Sequence, residues 1–212
     1  MRESRLYLAT RIDRFWHWVH AVGVVLLILS GFNIHFAESF DVLGGIERAI
    51  WWHNVVGVIV AFDWGLWLIY NLATRRIRYY LPTADEKPAG LLRQARFYLF
   101  GLFRNDPHPY AITAERKFNP LQKLTYLGMM ALVVPFQIVT GIYMLLLISG
   151  SAEFGGKMFL PSVLHTAGAF ATTAFLVGHV YLATTGRRPY SHFAFMISGY
   201  HEEDHLPEGG SP

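Results

Sequence analysis

The stretch Phe159–Thr185, FLPSVLHTAGAFATTAFLVGHVYLATT, decides the fold. It exceeds the roughly 20 mostly apolar residues that a helix needs to cross a bilayer, and it carries two histidines, His165 and His179, fourteen positions apart. At 3.6 residues per turn that spacing is close to four turns, so both imidazoles leave the same helix face and sit roughly 21 Å apart along the axis. One helix can therefore offer one ligand to each of two stacked cofactors. The alternative is a pair of unrelated polar side chains facing a bundle interior, the usual refuge of ionisable groups in lipid.

Three further segments pass the same length test: Phe15–Phe36, Ile50–Leu72 and Leu124–Ser149. Predicted helices run over about 12–36, 47–73, 120–149 and 159–186, an all-α integral membrane four-helix bundle. Hydrophobic residues make up 53% and charged residues 16% of the 212, too apolar a balance for an ordinary soluble domain. The first segment is longer than a secretion signal and no small-residue cleavage site follows it, so it reads as a retained helix.

Cations orient the bundle. Of the 18 Lys and Arg, all but Arg48 and Lys157 fall before the first helix, between the second and third, or after the fourth. The positive-inside rule then makes both termini and the long middle connection cytoplasmic. The basic pI records topology and needs no nucleic acid. The outer connections, Ala37–Glu47 and Gly150–Lys157, are too short to enclose a substrate site. Within the inner connection Ala73–Lys123, Gly90–Arg104 mixes Leu91, Leu92, Ala95, Leu99 and Leu102 with Arg93, Arg96 and Arg104, the pattern of a helix lying in the headgroup layer. Residues 1–200 form one membrane domain, and 201–212 are expected to be a disordered tail.

Depth sorts the histidines. His17 starts the first helix on the inside, His53 starts the second on the outside, His165 starts the fourth outside and His179 ends it inside. Matching depths pairs His53 with His165 and His17 with His179. Two bis-histidine sites stacked across a membrane are what two b-type haems require, each iron taking an imidazole on both axial faces. With no cysteine in the chain there is no thioether-linked haem, no Cys-ligated iron–sulfur cluster and no disulfide. Zinc is the weaker fit, because it wants about four ligands converging at one depth.

Arg14-Phe15-Trp16-His17-Trp18, Ser30-Gly31-Phe32-Asn33-Ile34-His35, a lone His53, Lys117-Phe118-Asn119-Pro120-Leu121-Gln122-Lys123, and His165 with His179 together resemble the bacterial di-haem cytochrome b subunits of formate dehydrogenases, nickel–iron hydrogenases and thiosulfate reductases. The resemblance reaches from the N-terminus to about Arg188. It implies the same two haem pairs, and a menaquinone or ubiquinone site near the inner haem bordered by Asn119 and Gln122. Leu121 stands where the formate dehydrogenase member has a glycine, which bears on how closely a quinone ring approaches. The competing reading is that Asn119 and Gln122 cap and anchor the third helix. The resemblance further implies a periplasmic-side catalytic partner, a molybdenum enzyme or nickel–iron hydrogenase, joined through an iron–sulfur subunit at the bacterial inner membrane.

Other residues rank lower. His20, three residues after His17, is a candidate substitute ligand or propionate partner; His35 is a candidate propionate or interface partner. Asp63 sits at mid-membrane, where an unpaired charge is costly. His108, His192, His201 and His205 lie outside the spans. Pro135 is expected to kink the third helix, while Gly31, Gly57, Gly141 and Gly168 admit close approach of a haem or helix. Arg187 and Arg188 are candidate propionate partners. The functional expectation is an electron wire between a docked redox enzyme and the quinone pool. Two rivals are a stand-alone transmembrane haem reductase, which would carry two histidines on each of two helices, and a cofactor-free membrane anchor, which would bind no haem.

Overall fold

The structure is a computed structural model, and it describes residues 5–83, 88–104, 106–110, 113, 116–149, 155–186 and 188–202. Arg2, Lys87, Glu153, Arg187 and His205 lie outside the described residues. The chain is mostly helical: β1 (Arg5–Tyr7), α1 (Arg11–His35), α2 (Ile46–Ala73), α3 (Pro88–Arg96), α4 (Pro120–Gly128), α5 (Val134–Ser149), α6 (Phe159–Ala183), α7 (Ser191–Ser198) and β2 (Tyr200–Glu202). Among the described residues four helices are long and apolar enough to cross a membrane: Arg11–His35, Ile46–Ala73, the continuous Pro120–Ile148 and Gly156–Ala183. All four agree with the expected spans to within a few residues.

Two compact units divide the chain. One comprises Met1–Arg14, Arg76–Leu127 and Val180–Pro212; the other comprises Phe15–Arg75 and Gly128–His179. The first unit is built on local caps and on a joining of the chain ends. Thr10 and Asp13 form a reciprocal capping box at the start of α1, the Thr10 amide donating to Asp13 Oδ2 (3.0 Å) and the Asp13 amide to Thr10 Oγ1 (3.2 Å); this satisfies amides that have no partner within the helix. The Arg76 guanidinium donates to the same Asp13 carboxylate. β1 and β2 pair antiparallel, Leu6 opposite His201 and Tyr7 opposite Tyr200, and Leu8 and Ala9 donate to the Gly199 carbonyl. The two ends of the described chain therefore pair with each other. β2 takes in His201 and Glu202, the first two residues of the expected tail; 203–212 lie outside the described residues.

Helix continues from α3 through a π turn at Phe97–Gly101 and a short 3-10 turn at Leu102–Arg104, over the stretch where a helix is expected. Gly90, Gln94, Phe97 and Gly101 are buried, while Leu92, Leu99 and Phe103 are exposed. A helix in the headgroup layer sinks such an exposed apolar face into lipid.

The second unit holds most of each of the four spans. Pro135, where a kink is expected, follows a π turn over Met129–Val133 that precedes α5. A proline ring crowds the carbonyl four residues back and brings no N–H, so the preceding turn widens. In a π turn the carbonyl of Met130 would look to residue 135 for its donor, and proline has none. It is met instead by the Trp64 indole N–H of α2 at 2.9 Å. An unsatisfied carbonyl in lipid costs several kcal/mol, so this bond both repairs the ladder and ties α2 to the third span.

At the outer end of α1, the side-chain oxygen of Asn33 accepts from the amides of Val42 (2.9 Å) and Leu43 (3.1 Å). Asn33 is 1% exposed, and it folds the short outer loop back onto the helix. In that loop the Asp41 carboxylate accepts from the amides of Gly44 and Gly45. Those amide donors, Gly45 first, hold its pKa below the ordinary carboxylate value.

Candidate functional site

All four expected histidines lie in the second unit, in two pairs. The His53 and His165 rings are 6.1 Å apart between centroids, with planes at 74°. His17 and His179 are 6.3 Å apart, with planes at 47°. An imidazole nitrogen bonds a transition metal at about 2.0–2.1 Å and lies about 1.1 Å from its own ring centre, so trans imidazoles on one metal have centroids about 6.3 Å apart. Both separations fit an intervening iron. Among the described residues no group of three or more His, Cys, Asp or Glu gathers as a metal site, which leaves pairs as the available ligand sets.

The outer pair is held by hydroxyls from neighbouring helices. Ser30 Oγ on α1 is 3.0 Å from His53 Nδ1, and Thr140 Oγ1 on α5 is 2.8 Å from His165 Nδ1. Each hydroxyl also donates to the carbonyl four residues back on its own helix, Ser30 to Leu26 at 2.7 Å and Thr140 to Phe136 at 2.8 Å. The next residue in each case is glycine. A Cβ on Gly31 would stand 3.4 Å from His53 Cε1, and one on Gly141 would stand 3.3 Å from His165 Cε1. Removing those carbons lets each ring edge lie against helix backbone. Ser30 and Thr140 are absent from the sequence-level candidates, yet the repeated hydroxyl–glycine dipeptide at 30–31 and 140–141 was the signal for them.

The inner pair sits among aromatics. His17 is edge-on to Trp18 at 5.3 Å, and His179 stacks on Phe175 at 5.5 Å and 21°. Among the described residues His17 Nδ1 is buried without a hydrogen-bond partner. His20 does not join this pair. Its Nδ1 lies 3.0 Å from Asp63 Oδ2, with both side chains mostly buried, and its ring stacks on Trp16 at 5.0 Å. Trp16 in turn donates its indole N–H to the Asp63 carbonyl at 3.3 Å. Asp63 thus has a partner at membrane depth. His35 makes ring contacts with Phe36 and Phe170; Gly168 lies against the Gln137 side chain and Gly57 against Leu27.

Asn119 and Gln122 belong to the first unit, where they form a second reciprocal capping box. The Gln122 amide donates to Asn119 Oδ1 (2.9 Å) and the Asn119 amide to Gln122 Oε1 (3.1 Å). Asn119 Nδ2 donates to the Tyr98 hydroxyl at 2.8 Å, and burial raises the pKa of that phenol. The capping reading describes their present use. Of the remaining histidines, His108 packs on Phe97 and His201 on Phe195.

Four membrane helices that bring imidazoles together as two pairs at metal-bridging distance, in a chain without cysteine, define a membrane b-type cytochrome. The prokaryotic cytochrome b561 family matches residues 9–199, and the chain belongs to that family. It is 33% identical over 198 residues to cytochrome YdhU of Escherichia coli (strain K12), covering 93% of this chain and 75% of that one. It is 22% identical over 203 residues to a Ni/Fe-hydrogenase B-type cytochrome subunit of Rhodobacter capsulatus, covering 86% of this chain and 75% of the relative. The protein is a multi-pass membrane cytochrome that binds haem b and transfers electrons.

Proposed function

We propose that this chain carries electrons across the bacterial inner membrane through two b haems, between a docked catalytic partner on the outer face and the quinone pool. The observation that carries this reading is the pair of imidazole separations, 6.1 and 6.3 Å. His53 and His165 hold the outer haem, His17 and His179 the inner one. Bound haem supplies one-electron redox chemistry, while the protein supplies axial ligation, depth and an apolar surround. α6 contributes one ligand to each tier, so a single helix fixes the spacing between them.

The cation distribution supports cytoplasmic termini. The Rhodobacter relative is described as a hydrogenase subunit, which supports docking to a catalytic enzyme; a molybdenum enzyme or nickel–iron hydrogenase acting through an iron–sulfur subunit is the partner the resemblance favours. Menaquinone or ubiquinone exchanges on the cytoplasmic side, with Asn119 and Gln122 as candidate quinone contacts in addition to their capping.

The test is His179→Ala in the full-length protein. It is expected to remove one of two haems and to abolish quinone-linked turnover while the outer haem stays assembled. Two haems retained in that variant would overturn the ligand assignment.

A further inference from the structure

We propose that Ser30 and Thr140 are positioning residues for the outer haem, acting through His53 and His165 rather than touching the iron. The inference rests on reading those two histidines as ligands, and deepens it by stating what prepares them. A hydroxyl has one proton and two lone pairs. In both residues that proton goes to the carbonyl of the preceding turn, so only lone pairs remain to face the imidazole. The contact at Nδ1 (3.0 and 2.8 Å) therefore requires the ring to donate. The carbonyls of Leu27 and Gln137 lie within reach of the same hydroxyls and also hydrogen-bond the His53 and His165 rings themselves; being acceptors only, they call for the same ring donor, and each hydroxyl shares the ring with its neighbouring carbonyl.

The consequence is chemical. Imidazole with its proton on Nδ1 leaves the Nε2 lone pair free for a metal, and the tautomer is selected before any metal arrives. An imidazole that donates from Nδ1 is also a stronger electron donor through Nε2, which favours ferric over ferrous iron and lowers the haem potential. The two clamps come from different helices, α1 and α5, and hold the ring planes at 74°. In a bis-imidazole ferric haem the angle between the ligand planes sets the splitting of the iron d orbitals, so a near-perpendicular pair gives a strongly anisotropic low-spin EPR signal. The inner pair, at 47° and with His17 Nδ1 lacking a partner, gives a less anisotropic one.

Full-length haem-loaded protein in detergent is titrated potentiometrically and examined by EPR as parent, Thr140→Val, Thr140→Ser, Ser30→Ala and Ser30→Thr. Thr140→Val keeps the shape and removes the acceptor. The outer-haem midpoint is expected to rise and its EPR feature to shift in Thr140→Val and Ser30→Ala, with the inner haem unchanged and the hydroxyl-retaining variants returning to parent values. Loss of the outer haem alone from Thr140→Val also supports the role, and Ser30→Ala then carries the potentiometry. Unshifted potential and EPR in both hydroxyl-deleted variants would overturn it. His165→Ala keeping two haems would instead overturn the ligand reading beneath it.

Discussion

The two histidine tiers have nearly the same ring separation and are held in different ways. Outside, hydroxyls on two neighbouring helices fix His53 and His165 through hydrogen bonds; inside, His17 and His179 rest against Trp18 and Phe175, and His17 Nδ1 has no acceptor. A hydrogen bond selects a tautomer and a ring angle, whereas an aromatic wall selects only a position. The outer tier is thus built for one fixed ligand geometry. The inner tier leaves a polar atom at the membrane depth where quinone exchange is proposed.

The comparison breaks most sharply by deleting one tier at a time. His165→Ala is expected to remove the outer haem and leave the inner one reducible by quinol, the mirror image of His179→Ala; a haem count with a reduced-minus-oxidised spectrum on each variant checks it. If either substitution removed both haems while the protein stayed folded, the tiers would not be independent.

A smaller effect is expected at the His20–Asp63 pair, close to the inner tier in sequence. A charged carboxylate without a partner near a bilayer centre costs about 2.5–3.5 kcal/mol, so His20→Ala should lower the thermal stability of the whole protein, and His20→Ala with Asp63→Asn should recover most of it. Equal stability of the single and double variants would show that the contact contributes nothing.

The smallest effect separates capping from quinone binding. Gln122→Glu keeps a side-chain oxygen for the Asn119 amide and removes the amide donor. Haem content and stability should hold while the KM for quinol rises several-fold. An unchanged KM would leave Gln122 with its capping role alone.

Much of the fold was legible because lipid imposes simple rules: length and apolarity give the spans, and fourteen positions between His165 and His179 place ligands at two depths. His17, rather than His20, lies beside His179; the sequence placed both on one helix face and only coordinates show which ring stands there. What escaped depends on contacts between helices. A serine or threonine in an apolar helix bonds back to its own carbonyl and so looks inert; only the rotation of α1 against α2, and of α5 against α6, brings the remaining lone pairs of Ser30 and Thr140 to a histidine. Pro135 announced a kink but not the Trp64 donor that completes it. The pairing of Arg5–Tyr7 with Tyr200–Glu202 involves three-residue segments nearly 200 positions apart, too short for any local pattern to mark. For Asn119 and Gln122 the Asn-x-x-Gln spacing was compatible with a cap and with a ligand site, and only coordinates show the cap formed.

The most direct test is the haem content of the purified full-length protein, with EPR of its oxidised form. Two b haems per chain with two distinct low-spin signals, the more anisotropic lost in His165→Ala and the other in His179→Ala, is the result expected. A single haem, or two that survive both substitutions, would contradict the account.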